Sequence, residues 1–200
     1  TFLGAASLLE PADISREAVQ AGAVLFLEGY LFDRDEAKAA FKVASKYAHE
    51  AGRKVSLTLS DSFCVDRHRE DFLDLILNDI DVLFCNEFEL QSLYQTSYEE
   101  ALEQLRNDCE FGAVTRDKRG SVVINGHDLV HIEPEPVERV VDATGAGDQY
   151  AAGFLYGFTR GMAIEHCGRL GSMSASEVIT HVGPRPLVQL STLIPEHLRS

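Results

Sequence analysis

This sequence predicts an α/β fold: a mostly parallel, doubly wound sheet with helices on both faces. Three observations carry that expectation. Apolar runs of strand length recur at 23–32, 55–59, 81–85 and 111–115. Helix-period segments separate them, and strand–helix alternation is the pattern of parallel crossovers. Late in the chain, two glycines one alanine apart (Gly145, Gly147) close an irregular stretch and open a further helical pattern. A glycine-bearing turn at a helix start gathers unpaired backbone N–H groups at one point.

The elements follow in order. Residues 23–32 open with the continuous run Ala23-Val24-Leu25-Phe26-Leu27, as a strand covered on both faces requires. From Asp33 to Ala51, apolar side chains recur at Ala37, Ala40, Phe41, Ala44, Tyr47 and Ala48, and Gly52 is placed to stop that helix. Residues 55–59 form the next strand and 72–77 belong to the next helix. A third strand spans 81–85, with helices near 87–94 and 97–107 behind it, and 111–115 is another strand. Beyond Gly120 the rhythm changes: 121–125 and 129–133, parted by Gly126-His127-Asp128, read as a β-hairpin. Helices over 146–160 and 163–180 complete the pattern. No repeat, linker or low-complexity segment interrupts it, so one domain is expected.

Bulk properties bound the partners. Two hundred residues suffice for one domain with a sizeable core. A net charge of −14 argues against nucleic acid or an anionic membrane, both of which need basic patches. No apolar run approaches membrane-spanning length. Cys64, Cys85, Cys109 and Cys167 are scattered without a CxxC, the pattern of free thiols in a reducing cytoplasm. The chain opens at Thr1, without methionine, inside an apolar segment (Phe2, Leu3, Ala5, Ala6); the expectation is a portion of a longer fold.

The chemistry is expected at Val141-Asp142-Ala143-Thr144-Gly145-Ala146-Gly147-Asp148. Glycines before a helix start make a main-chain anion hole. An acid beside it opposes anion binding unless it has a proton to remove. That pairing predicts phosphoryl transfer to a hydroxyl, with the cradle stabilising developing charge and Asp148 accepting the alcohol's proton. The alternative is a plain helix start, with Thr144 as cap and Asp148 complementing the dipole, although capping does not need Gly-Ala-Gly. Tyr150 breaks the dinucleotide pattern GxGxxG, and no GxxxxGK[ST] occurs.

The stretch Asp142 to Asp148, continuing Gln149-Tyr150-Ala151-Ala152-Gly153-Phe154, resembles the C-terminal signature of the ribokinase (PfkB) family of carbohydrate and nucleoside kinases. The resemblance implies a ribokinase-like three-layer α/β/α fold, N-terminally truncated here. Residues 1–200 would form the nucleotide-binding and catalytic-base side of a single kinase domain. It implies an ATP-dependent enzyme moving the γ-phosphate to a hydroxyl of a sugar or nucleoside, with adenosine kinases the nearest subtype. A second expectation is a nucleotide-binding module without catalysis, since nothing here matches the family's acceptor-binding portion. Asp148 would be the base, and the Gly145-Ala146-Gly147 stretch, through the amides of residues 146–148, the anion hole. Ala143 departs from the threonine that the family usually carries there, whereas Thr144 is kept.

Other sites follow from residue reading and resemblance together. Asn86 and Glu89 alone read as a capping box; the resemblance makes Glu89 the organiser of Mg²⁺ through its waters, with Asn86 at the nucleotide phosphates. Thr115-Arg116-Asp117-Lys118-Arg119-Gly120 reads as a solvated basic turn. The resemblance puts Thr115 and Gly120 near the nucleotide and Arg116 at a phosphate. Ser60-Asp61-Ser62 reads as a helix cap after a strand, and the preceding Leu57-Thr58-Leu59-Ser60 resembles the corresponding strand end of adenosine kinases. The small-residue run 171–176, with Ser176, either flanks the adenine or packs helices closely. Asp142 and Thr144, with carbonyls of 180–183, resemble the family's monovalent-cation loop, for which K⁺ is the expected ion. Oligomeric state is not legible.

Overall fold

The computed structural model describes residues 3–196. Thr1 and Phe2, which open the apolar N-terminal segment, lie outside the described residues. The fold is α/β, with six strands following one another across the sheet in chain order. The chain divides into two compact units, Thr1–Gly112 and Ala113–Ser200. Their boundary falls inside one strand, where the sequence marks neither a linker nor a change of composition.

In the first unit the strands are β1 (Val24–Glu28), β2 (Lys54–Thr58) and β3 (Val82–Asn86). β1 pairs with β2 and β2 with β3, both parallel, as the crossovers require. Around them run α1 (Arg16–Ala21), α2 (Asp35–Glu50), α3 (Ser62–Arg67), α4 (Arg69–Asp79), α5 (Glu87–Tyr94) and α6 (Tyr98–Asp108). The buried stripe of α2 is Ala37, Ala40, Phe41, Ala44, Ser45 and Ala48; the apolar spacing picks all of these but Ser45, and Tyr47, which it also picks, is only partly buried. Phe41 meets Phe32, whose ring stacks on Phe72 of α4 at 4.2 Å. Asp81 ties strand starts together, accepting from the Val55 amide at 2.8 Å and from Lys54 Nζ at 2.8 Å. α1, capped by Ser15 Oγ on the Ala18 amide, and α3 are short helices that the apolar period alone did not mark.

β4 (Phe111–Thr115) carries the unit boundary. The second unit continues with β5 (Ser121–Asn125) and β6 (Asp128–Ile132), an antiparallel hairpin in which Asn125 faces Asp128 across a two-residue loop. α8 (Ile164–Val178) packs on it, and α7 (Ala146–Phe158) packs against α8. They approach closely because their contact is built of small residues. A Cβ on Gly153 would lie 2.3 Å from the Leu170 carbonyl oxygen, and one on Gly171 2.9 Å from that of Tyr150. Close packing therefore accounts for part of the small-residue run 171–176.

All four cysteines are buried, and none forms a disulfide. Burial pushes their thiols up, to about 11 at Cys64 and Cys167 and about 12 at Cys109. Among the described residues no helix is long and apolar enough to cross a membrane.

Candidate functional site

The glycine stretch belongs to the second unit, and its turn is set by Asp142. Oδ1 of Asp142 accepts from the Thr144 amide (2.9 Å) and from Thr144 Oγ1 (2.6 Å), an Asx turn. Oδ2 accepts from the Gly183 amide at 2.9 Å, and the Ile179 carbonyl accepts from the Val141 amide at 2.8 Å. These three donors on one exposed carboxylate hold it at about pKa 2, the Thr144 hydroxyl contributing most. Asp142, Thr144 and the 180–183 loop thus form one hydrogen-bonded group around a permanently charged oxygen pair. A hard cation suits such donors.

From this turn the chain enters α7 through Gly145, at φ +81. A side chain there would be strained by conformation and would also meet Pro184 at 2.6 Å, so glycine is required twice over. Gly145 is the N-cap, and no side chain caps the helix. The expectation that Thr144 serves as a plain cap therefore fails, because its hydroxyl is committed to Asp142.

The first helical bond runs from the Gln149 amide to the Gly145 carbonyl, 2.9 Å. The Ala146 amide donates to the Ala143 carbonyl at 3.1 Å, which removes it from the free donors expected of 146–148. The amides of Gly147 and Asp148 have no acceptor among the described residues. Two aligned, unpaired N–H groups at the positive end of a 13-residue helix remain.

Asp148 sits at the third position of α7, and its carboxylate makes no hydrogen bond or ion pair among the described residues. It is exposed by area, yet surrounding protein displaces enough of its hydration to raise its pKa. A carboxylate that is uncommitted and made more basic is fitted to take a proton.

Beside this helix start the second unit forms an open cavity of about 400 Å³. Ala146, Gly147 and Tyr150 line it from α7, and Ser172, Ala175, Ser176 and Ile179 line it from α8 and its end. Thr115, Asp117, Lys118 and Gly120 contribute from the turn after β4, and residues 134–137 with Val140 from the irregular segment after β6. Tyr150 is held there by its hydroxyl, 2.7 Å from Ser121 Oγ. Of the expected nucleotide residues, Thr115, Gly120 and Ser176 are on this wall, whereas Arg116 is not. Ser176 Oγ donates to the Met173 carbonyl at 2.9 Å and keeps acceptor capacity. The 134–140 wall was not expected: Pro134-Glu135-Pro136 followed by a mix of valines and charges marks no ligand-binding segment.

The first unit carries the Asn86–Glu89 pair, at the carboxyl end of β3 and the start of α5. The capping box is complete. Asn86 Oδ1 accepts from the amides of Phe88 and Glu89 (both 2.9 Å), and Glu89 accepts from the Asn86 amide (2.9 Å) and from Asn86 Nδ2 (2.7 Å). Asn86 is therefore occupied within its own helix start. Glu89 is 6% exposed. Burial pushes its pKa up to about 7, the Asn86 amide opposes this, and nearby Asp61 adds to it. Asp61 caps α3, accepting from the Cys64 amide at 2.9 Å, next to Ser60 at φ +70.

Glu89 sets a stability expectation with a definite sign. Its folded pKa lies above the ordinary 4.5, so the stabilisation is full below pH 4.5 and is lost as pH rises through 7. The loss is about 3 kcal/mol at most. Urea melts from pH 4 to 8 should show this decline in the protein but not in Glu89→Gln; parallel profiles would show that the carboxyl is not desolvated.

Comparison with known proteins bears on the family and the fold. The model of the pfkB family of carbohydrate kinases matches residues 1–190. An adenosine kinase from Sinorhizobium meliloti superposes with a TM-score of 0.91 at 46% identity, covering 94% of this chain and 58% of that one. An uncharacterized sugar kinase of Archaeoglobus fulgidus is 36% identical over 114 residues, 56% of this chain and 45% of that protein. A cytidine kinase of Thermococcus kodakarensis is 33% identical over 141 residues, 66% of this chain and 49% of its own length. The chain spans about half the length of the curated relatives it matches. With a family match over nearly its whole length and the ribokinase-like α/β fold, this chain belongs to the pfkB family of carbohydrate kinases.

Proposed function

We propose that the chain serves ATP-dependent transfer of a γ-phosphate to a hydroxyl of a small sugar or nucleoside, with an adenosine-like nucleoside the best acceptor. The observation that carries this reading is the pair of unbonded amides at Gly147 and Asp148 beside the uncommitted Asp148 carboxylate. The amides stabilise charge on the phosphoryl group in flight, and Asp148 removes the proton of the attacking hydroxyl. Gly145 and Ala146 set the turn that presents them. Thr115, Gly120 and Ser176 contact the nucleotide in the cavity of the second unit, with Arg116 as a phosphate partner. Glu89, anionic once a divalent cation offsets its burial, fits Mg²⁺ held through water. Asp142, Thr144 and the 180–183 carbonyls fit K⁺. The similarity to the Sinorhizobium adenosine kinase and the Thermococcus cytidine kinase supports a nucleoside acceptor. Cytoplasmic location fits the free thiols.

The second reading, a nucleotide-binding module without catalysis, is favoured by the chain's spanning only about half of its curated relatives. Calorimetry with MgATP and a turnover assay on the same sample separate the two: binding without phosphorylation of adenosine, ribose or fructose favours the module. Gly147→Ala tests the cradle itself. Nothing lies within 4 Å of a Cβ at this position, so the fold tolerates it, and alanine is the better helix former. The added methyl enters the cavity instead. Melting temperature should hold or rise while turnover, or MgATP affinity in an inactive chain, falls about tenfold or more; unchanged function would remove the anion hole from the mechanism.

A further inference from the structure

We propose that Asp117 reads the sugar of the bound nucleotide, its carboxylate accepting hydrogen bonds from the adjacent 2′- and 3′-hydroxyls of a ribose. The inference rests on the nucleotide-binding reading of the cavity and adds to it the residue that selects ribonucleotides over deoxyribonucleotides.

Asp117 lies on the wall of the cavity after β4. Its φ is +53, in the left-handed region where glycine sits without penalty and other residues do not. Main-chain bonds close the turn that holds it. The Arg116 amide donates to the Gly120 carbonyl at 2.8 Å, the Gly120 amide to the Asp117 carbonyl at 3.1 Å, and the Arg119 amide to the Arg116 carbonyl at 3.1 Å. The Asp117 carboxylate makes no hydrogen bond or ion pair among the described residues. A side chain thus occupies a strained position without contributing a bond to the fold, a pattern that collects at ligand clamps.

Charge narrows what it can hold. An unpaired carboxylate repels phosphates, whose place is at the Gly147 and Asp148 amides. The rest of a nucleotide offers neutral donors, and the ribose offers two adjacent O–H groups to the two oxygens of one carboxylate. The apolar wall of Val137, Val140 and Ile179 suits the base instead. Glu135 is the other acid on the wall, between Pro134 and Pro136, with no left-handed backbone. It provides the comparison.

Calorimetric affinities of the 200-residue chain for MgADP, Mg-2′-deoxyADP and Mg-3′-deoxyADP test the assignment. The protein should bind each deoxy analogue about tenfold or more weakly, the loss expected of a hydrogen bond to a charged group. Asp117→Gly and Asp117→Asn should bind all three within about threefold of one another. Asp117→Gly should also melt higher, because it relieves the backbone. Glu135→Gln should keep the original ratios. Ratios that persist in both Asp117 variants, or that collapse in Glu135→Gln alone, overturn the assignment to Asp117 while leaving nucleotide binding intact. No binding of MgADP by the unaltered chain would instead defeat the nucleotide reading and this inference with it.

Discussion

Asp148→Asn should lower phosphoryl-transfer turnover by ~10²–10⁴ and leave MgATP affinity within about threefold. The asparagine is nearly the same size and keeps the first turn of α7 intact, since no fold contact among the described residues depends on the carboxylate. It removes only the proton acceptor. It also removes a negative charge beside the free amides of Gly147 and Asp148, so nucleotide affinity should hold or improve slightly. A steady-state assay with adenosine as acceptor, paired with calorimetry, reads both quantities. If turnover stays within threefold of the unaltered protein, Asp148 is not the base. If affinity collapses with turnover, its role is in binding.

The pH profile of that assay carries a further sign. Burial raises the Asp148 pKa, so the acidic limb of turnover should sit above the ordinary carboxylate value. The limb should disappear in Asp148→Asn.

Gly153→Ala is expected to have the largest effect on stability, a loss of about 3 kcal/mol with function lost in proportion. The added methyl meets the Leu170 carbonyl oxygen at 2.3 Å and Ser174 Oγ at 2.6 Å. The hydroxyl can rotate away, but the carbonyl is main chain of α8 and cannot. Relief requires α7 and α8 to separate, which opens the packing of Phe154 and Leu170, 0% and 3% exposed. Denaturant titration measures the loss. Gly161→Ala is a useful control, because its Cβ meets nothing within 4 Å and its cost is only that of its φ of +70. A Gly153→Ala protein as stable as the original would mean that the two helices can move apart freely.

Most of the sheet was legible because its strands are short segments rich in apolar and β-branched residues between helical or turn signals, which local sequence states directly. β4 and β5 fall where the runs at 111–115 and 121–125 put them. The glycine turn was legible for a different reason, since Gly145 answers a backbone demand that few residues can meet. Division into two units left no trace, because it falls within the apolar run of β4 and has no sequence marker of its own. Nor could spacing decide how donors are shared. Thr144 stands where a cap would stand, and only the coordinates show its hydroxyl turned back to Asp142. The same holds at Asn86, whose pairing with Glu89 fits a cap and a metal organiser equally well on sequence, and whose side-chain atoms are both taken by the cap. Asp117 was hidden in a charged turn, where nothing in the letters distinguishes a strained acid from a relaxed one.

The four sulfhydryls, each shielded and with its thiolate suppressed, have a practical consequence. At neutral pH they should ignore maleimides and mild oxidants, because only the ionised sulfur reacts. A cysteine introduced at Leu77, 59% exposed in the first unit, and another at Val182, 81% exposed in the second, would then accept dyes against a silent background. Energy transfer between the two labels then measures the separation of the two units without first stripping the native sulfur from the chain.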